Sequence, residues 1–514
     1  MPFAAVPHNV ARTLLIVFAV TPTVAFAQGD SKPESAAGKP ADVPTKPADK
    51  PVVTQHVASI DGVEVKYSVE TGKLDLRTDE GKSKARLFYI AYRKDDVGEV
   101  AKRPLTFCFN GGPGSSSVWL HLGMAGPQRI KFPDGAAPLR PPYSLQPNPH
   151  SLLDKTDLVF IDPVSTGYSR PADGEAKGQF HGYDEDLQSV GQFIHDYTTR
   201  SQRWPSPKFL MGESYGGIRA AGLAGHLQDR YHMELNGIVL VSAVIDFETL
   251  GFGSGADVPY LAFLPTYAAT AWFHKALPGD LQNLPLRDVV KQAEQFAATD
   301  YALALFQDAG LPEAQRSAVA EKLARFTGLS KRYVEDSNLR IPMSRFSKEL
   351  LRNRKQTVGR FDSRYLGVDR DSVGESYEYD ASGAALFGPF TATFNDYVRR
   401  TLQYQEDRVY EVLTGNVHPW SYKRFENRYV DASETLRRTM TGNPFLKVFA
   451  ACGYYDLATP HYAMDYTLNH LGLPPNLRGN LTTRYYEGGH MMYIHEPSLV
   501  QLRKDLIEFY KAAE

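Results

Sequence analysis

The stretch that most constrains this chain is Met211-Gly212-Glu213-Ser214-Tyr215-Gly216-Gly217. Before it, Lys208-Phe209-Leu210-Met211 is a short, mostly apolar run; after it, Ile218 to Leu227 is rich in alanine and leucine. A glycine–serine–glycine pattern between a strand and a helix reads as a nucleophile elbow. The turn is too tight for side chains at its flanks, so glycine stands on both sides and the serine is thrust out above the sheet. The helix N-terminus behind it favours negative charge developing there. The pattern alone is a weak signal, and its strand–turn–helix setting gives it meaning.

The neighbouring segments supply such a sheet. Ala58-Ser59-Ile60 and Val63 to Val69 alternate about an Asp61-Gly62 turn, which predicts a hairpin. Ala85 to Tyr92 adds another antiparallel strand. Leu105–Phe109, Leu158–Ile161, Lys208–Met211, Gly237–Ile245 and Leu446–Cys452 read as core strands, and Leu481–Tyr486 as the last one. Leu187, Val190, Phe193, Ile194 and Tyr197 recur at helical spacing, and a helix around Ser498–Tyr510 closes the chain. Strands alternating with helices imply an α/β fold with a mostly parallel central sheet flanked by helices.

At 514 residues the chain is long for one domain. Between residues 247 and 440 the pattern changes to helix-length segments rich in aromatics and arginine, such as Leu281 to Phe306 and Ala314 to Phe326. No buried parallel strand is legible there, and Val358 to Ser382 is polar and loop-like. The expected division is a first core part over 53–246, a large, mainly helical cap insertion over 247–440, and a second core part over 441–514.

At the N-terminus, Arg12 precedes the apolar run Thr13 to Val20, and Ala25-Phe26-Ala27 follows. This reads as a secretory signal over 1–27, too short for a bilayer span. Residues 28–52, rich in Lys, Pro, Ala, Ser and Asp, read as a disordered linker. The expectation is export, to a bacterial periplasm or as a secreted protein, with no membrane span after cleavage. A formal net charge of −2 gives no reason to expect nucleic acid as a partner. Cys108 and Cys452, at the ends of core strands, read as free structural thiols, although an exported chain could pair them. No metal-ligand spacing is present, and no cofactor is expected.

A serine hydroxyl needs a base within hydrogen-bond reach and a third group to orient that base. On this kind of sheet the order is Ser, then Asp or Glu, then His, each in a loop after a strand. Asp456 and His490 fit, with Asp465 the rival acid. His461, His470 and His495 are nearby, but only His490 follows a strand through a glycine pair, Gly488-Gly489. Asn110-Gly111-Gly112-Pro113-Gly114, directly after a buried strand, reads as a loop whose backbone approaches a ligand. The N–H groups of Gly112 and Tyr215 are the expected oxyanion hole.

Taken together, Asn110 to Ser116, Gly212 to Gly217 and Gly488 to Met491 resemble the serine carboxypeptidases, as do Asn148 to Ser151 and Asp162 to Ser169. The likeness covers roughly 85–246 and 446–510, at scattered motifs. It implies an α/β-hydrolase that removes C-terminal residues from peptides with a free C-terminus. It also implies that Asn110, Gly111 and Glu213 bind the substrate's terminal carboxylate, with Glu213 sharing a proton with it, because two like charges at close range cannot both persist. Three positions depart from the family. Ser115 stands where it has a disulfide cysteine, Met124 where it has a second acid, and Cys108 where it has an aromatic. The missing acid leaves an esterase or acyltransferase of the same fold as the alternative.

Overall fold

The computed structural model describes residues 50–514. The expected signal segment, and the expected linker up to residue 49, lie outside the described residues. Val52, the last residue assigned to that linker, already belongs to the first strand.

A ten-stranded sheet organises the chain. Its main strands are β1 (Val52–Ile60), β2 (Val63–Arg77), β3 (Ser83–Lys94), β4 (Leu105–Phe109), β5 (Asp157–Ile161), β6 (Lys208–Glu213), β7 (Gly237–Val241), β8 (Lys447–Gly453) and β9 (Leu481–Tyr486). Their spatial order is β1-β2-β3-β5-β4-β6-β7-β8-β9, with the short strand Arg170–Pro171 paired to β3. From β5 to β9 all pairs are parallel, while β1, β2 and β3 form an antiparallel edge joined antiparallel to β5. This is the α/β-hydrolase fold.

Both faces of the parallel part are covered, which is why its strands read as unbroken apolar runs rather than alternating ones. Their side chains still alternate between two cores. Phe209, Met211, Val239 and Val241 face one, and Leu210, Ile238 and Leu240 face the other. Cys108 and Cys452 are buried free thiols, and burial pushes both thiols well above the ordinary range.

Two strands differ from expectation for local reasons. β2 runs on to Arg77 because β3 pairs along its whole second half. Gly72 interrupts the alternation there, and a Cβ at that position would lie 2.8 Å from Pro51. β7 stops at Val241 rather than Ile245. Ser242 takes a positive φ of 40°, and the chain turns to line the serine elbow, with Val244 N–H donating to Ser214 O at 3.2 Å.

The longer helices are α1 (Tyr183–Arg200), α2 (Gly216–Tyr231), α3 (Val258–Phe273), α4 (Leu286–Phe296), α5 (Glu313–Thr327), α6 (Ala381–Arg400), α7 (Ser433–Gly442), α8 (His461–Asn469) and α9 (Glu496–Ala513). The single helix read over Leu281 to Phe306 is broken. Pro285 has no N–H to continue the turn Gly279–Gln282, so α4 begins after it. α3 gave no periodic signal because twelve of its sixteen residues are buried, leaving no polar face to set a period. α3, α4 and α5 share a core of their own, in which Tyr267 stacks on Phe346 with ring centroids 4.0 Å apart. α6 instead sends Phe390, Phe394 and Tyr397 into one core of the sheet, and α7 sends Leu436 and Met440 into the other. Among the described residues no helix is long and apolar enough to cross a membrane.

One buried charge joins the elements around the elbow. Arg219 on α2, only 1% exposed, donates to Asp186 of α1 at 2.7 Å and to the carbonyl of Asn110. Its guanidinium lies between the rings of Phe109 and Tyr215. Removing one partner of such a pair leaves an uncompensated buried charge. Asp186→Ala should therefore cost about 3–5 kcal/mol of stability, read as a lower urea midpoint with an unchanged slope.

Candidate active site

Ser214 sits between β6 and α2 with a φ of 62°, in the left-handed region. The turn closes through Gly217 N–H donating to Ser214 O at 2.9 Å, while Ser214 N–H donates to Val241 O at 3.1 Å. The flanking glycines are required by contact. A Cβ at Gly212 would lie 2.2 Å from Gly216 O, and one at Gly217 would lie 2.4 Å from the Ala243 Cβ. Ser214 Oγ makes no hydrogen bond among the described residues, an open arrangement common in sites without substrate.

Asp456 and His490 follow β8 and β9, at the same edge of the sheet as Ser214. Asp456 is fully buried and its carboxylate is fully engaged. Oδ1 accepts from Ala458 N–H at 2.7 Å and Thr459 N–H at 3.0 Å, and Oδ2 lies 2.9 Å from His490 Nδ1. Thr459 Oγ1 lies 2.7 Å from Asp456 Oδ2, 2.8 Å from Ser242 O and 3.1 Å from His490 Nδ1. It ties the acid loop to the residue that follows β7 beside the elbow. Burial on its own would lower the His490 pKa, but the Asp456 charge and hydrogen bond outweigh it and the net shift is upward.

The other histidines go elsewhere. His461 is held by Thr266 and Glu294, His495 by Ser498, and His470 by the Tyr466 carbonyl. Asp465 is taken by Tyr485 at 2.6 Å.

The glycine loop lies against the elbow from the other side. A Cβ on Gly111 would fall 2.4 Å from Tyr215 N. Gly112 has a φ of 104°, open to glycine alone at low cost. Among the described residues neither the Gly112 nor the Tyr215 N–H donates to a protein acceptor. Ser115, where the resemblance leads one to expect a disulfide, joins the loop to residues 412–414 by hydrogen bonds instead. Its Oγ lies 3.3 Å from Val412 O and accepts from Trp119 Nε1 at 2.9 Å, while beside it Ser116 N–H donates to Val412 O and Thr414 N–H to Gly114 O, both at 3.0 Å.

Glu213, directly before the serine, is buried. Burial pushes its carboxyl up to about 7, against the pull of His490, the hydrogen bond from Tyr493 and the nearby Asn110 side chain. Tyr493 Oη donates to Glu213 Oε2 at 2.7 Å, which links the elbow to the His490 loop. Met124, in place of a second acid, is buried in the apolar core.

Sequence reasoning missed several residues. Thr459, Tyr493 and the Arg219–Asp186 pair carried no motif. Phe361 lies in the stretch read as a polar loop, yet its ring stands 5.3 Å from the His490 ring, with the Arg360 guanidinium 5.4 Å from the Phe361 centroid. A signal was available for Tyr493, a tyrosine three residues after the candidate base.

The sheet order, with the elbow and the buried Asp–His pair at one edge of the sheet, defines a protein of the α/β-hydrolase fold. Residues 62–259 match the family model described as serine carboxypeptidase. The chain thus bears out the resemblance read from its motifs. It is 31% identical over 160 residues to the pheromone-processing carboxypeptidase KEX1 of Saccharomyces cerevisiae, covering 29% of this chain and 21% of that protein. It is 27% identical over 192 residues to a probable serine carboxypeptidase of Arthroderma benhamiae, covering 33% and 34%. The chain therefore spans about a fifth to a third of the length of these curated relatives. The crystal structure of the S. cerevisiae carboxypeptidase superposes with a TM-score of 0.55 at 17% identity, over 86% of this chain and 91% of that one, which establishes a shared fold.

The His490–Asp456 pair sets a testable sign. A folded-state pKa raised above the ordinary value near 6.5 adds stability that is complete below that value and is lost as pH rises through the folded one. Asp456→Asn removes the charge and leaves burial, so the His490 ring should then titrate below the ordinary value, as followed by NMR of the ring protons.

Proposed function

We propose that this protein is a serine carboxypeptidase acting through Ser214, His490 and Asp456. The observation that carries the reading is Glu213, a buried carboxyl adjacent to the nucleophile that accepts from Tyr493 Oη at 2.7 Å and that burial pushes up to about 7. Elbow and base alone serve any acyl substrate. A protonatable acid at this point serves a substrate that brings its own carboxylate.

Neutral His490 takes the Ser214 proton as the hydroxyl attacks the scissile carbonyl. Asp456 holds the imidazole through Nδ1 and stabilises its charged form. The free N–H groups of Gly112 and Tyr215 receive the oxyanion, each worth about 3 kcal/mol in the transition state. His490 then returns the proton to the leaving amine, and water resolves the acyl-enzyme. Asn110, Gly111 and protonated Glu213 hold the terminal carboxylate, so that cleavage falls one residue from the end.

The pH dependence follows from two groups of opposite effect. Above about 7 Glu213 ionises and repels the substrate carboxylate, so KM for peptides should climb there. An ester without a carboxylate should show no such climb. At low pH both substrates should lose kcat together as His490 becomes charged.

Met124 favours a second reading, an esterase or acyltransferase of the same fold, because only one acid faces the clamp. The discriminating experiment follows the masses of an N-blocked peptide with a free or an amidated C-terminus, with Ser214→Ala beside it. Stepwise loss from the free terminus alone, absent in the variant, is the expected result. Turnover of a simple ester with neither peptide cleaved would favour the second reading.

Export to a bacterial periplasm or beyond the cell is part of the proposal. It is supported by the apolar run before Ala25-Phe26-Ala27. Sequencing the N-terminus of the mature protein tests it, with Gln28 as the expected first residue.

A further inference from the structure

Tyr493 takes no part in the steps above, yet its hydroxyl is bonded to the acid on which the substrate preference rests. It lies in the short turn Met492–Ile494, between His490 and α9. Its side chain is fully buried and Glu213 is nearly so. The ring is wedged against Gly123, where a Cβ would fall 2.4 Å from Tyr493 Cε2, so it has no room to swing that way. Burial and the Glu213 charge hold the hydroxyl far above its ordinary pKa, which keeps it a donor at every working pH.

The groups facing Glu213 are few. Tyr493 comes from the turn after His490, and Asn110 from the glycine loop. His490 attracts the ionised carboxylate and Asp456 repels it. Of these, Tyr493 has the short hydrogen bond to a defined oxygen, Oε2.

We propose that Tyr493 is the positioning residue of the carboxylate clamp: by donating to Oε2 it fixes the Glu213 carboxyl and leaves the acid's own proton on the other oxygen, where a substrate carboxylate shares it. The inference rests on the carboxypeptidase reading and adds which group orients the acid. A donor to Oε2 stabilises the ionised form. Removing it therefore leaves the proton on Glu213 to higher pH while freeing the carboxyl to turn. The chain thus sets the upper pH limit of substrate binding with a tyrosine that never touches the scissile bond.

Tyr493→Phe tests this, since it keeps the ring against Gly123 and deletes only the hydroxyl. KM and kcat are measured from about pH 5 to 9 on an N-blocked peptide with a free C-terminus and on an ester without a carboxylate. The ester parameters should stay within about twofold of wild type. For the peptide, KM should rise about tenfold at low pH, and its alkaline climb should move up by roughly one unit, the worth of one hydrogen bond to a charged group. The Glu213 carbonyl stretch, isolated as the difference against Glu213→Gln, should titrate higher by the same amount. Superimposable KM profiles, or an equal loss on ester and peptide, would overturn the proposal. So would an unmoved carbonyl titration, even in an enzyme that requires a free carboxylate. A wild type indifferent to the free carboxylate would instead overturn the carboxypeptidase reading on which the proposal rests.

Discussion

Everything around this site depends on one backbone constraint, a serine held at a positive φ where β6 meets α2. A non-glycine residue in that region costs of order 1–3 kcal/mol, and persists only when its surroundings over-determine it. Here they do so by contact and by hydrogen bonding. Gly212, Gly216 and Gly217 let three backbones approach where any Cβ would collide or crowd, and β7 ends early so that the chain after it can bond the Ser214 carbonyl. Gly111 brings the glycine loop against the same turn, which places two unused N–H groups beside the serine. The strain at Ser214 and the two unused N–H groups are thus two consequences of one close packing.

Electrostatics then distinguishes three buried groups. Asp456 is fully buried with both carboxylate oxygens hydrogen-bonded, Oδ1 by Ala458 and Thr459 N–H and Oδ2 by His490. The His490 pKa, which burial alone would lower, is raised by the Asp456 charge and hydrogen bond. Glu213 is only partly compensated, by Tyr493 and His490, and burial leaves its carboxyl pushed up to about 7. The two carboxyls thus sit in different surroundings, one hydrogen-bonded at both oxygens and the other buried with a single hydroxyl donor.

Much of this was legible in the chain. Fully buried strands announce themselves as apolar runs, and the elbow and glycine loop are readable because their glycines answer to contacts that no side chain survives. The order Ser214, Asp456, His490 follows from the position of each after a strand. What was not legible is what three-dimensional proximity alone creates. Thr459 and Tyr493 become important through atoms donated by distant elements. α3 hid because burial on all sides erased its period, and Phe361 hid in a stretch whose polar neighbours, Arg360, Asp362 and Arg364, suggested solvent. Of these, Asp362 and Arg364 are buried and paired, so polarity there marked a wall of the site rather than a surface loop.

The central claim is that one elbow presents the nucleophile, the oxyanion donors and the carboxylate clamp in a fixed relation. A crystal structure with a phosphonate analogue of an N-blocked dipeptide, carrying a free terminal carboxylate, tests it most directly. The account predicts phosphorus bonded to Ser214 Oγ, the phosphoryl oxygen within hydrogen-bond distance of the Gly112 and Tyr215 N–H groups, and the carboxylate on Asn110 and Glu213. Phosphorus on Ser214 with the carboxylate turned away from Glu213 would contradict it.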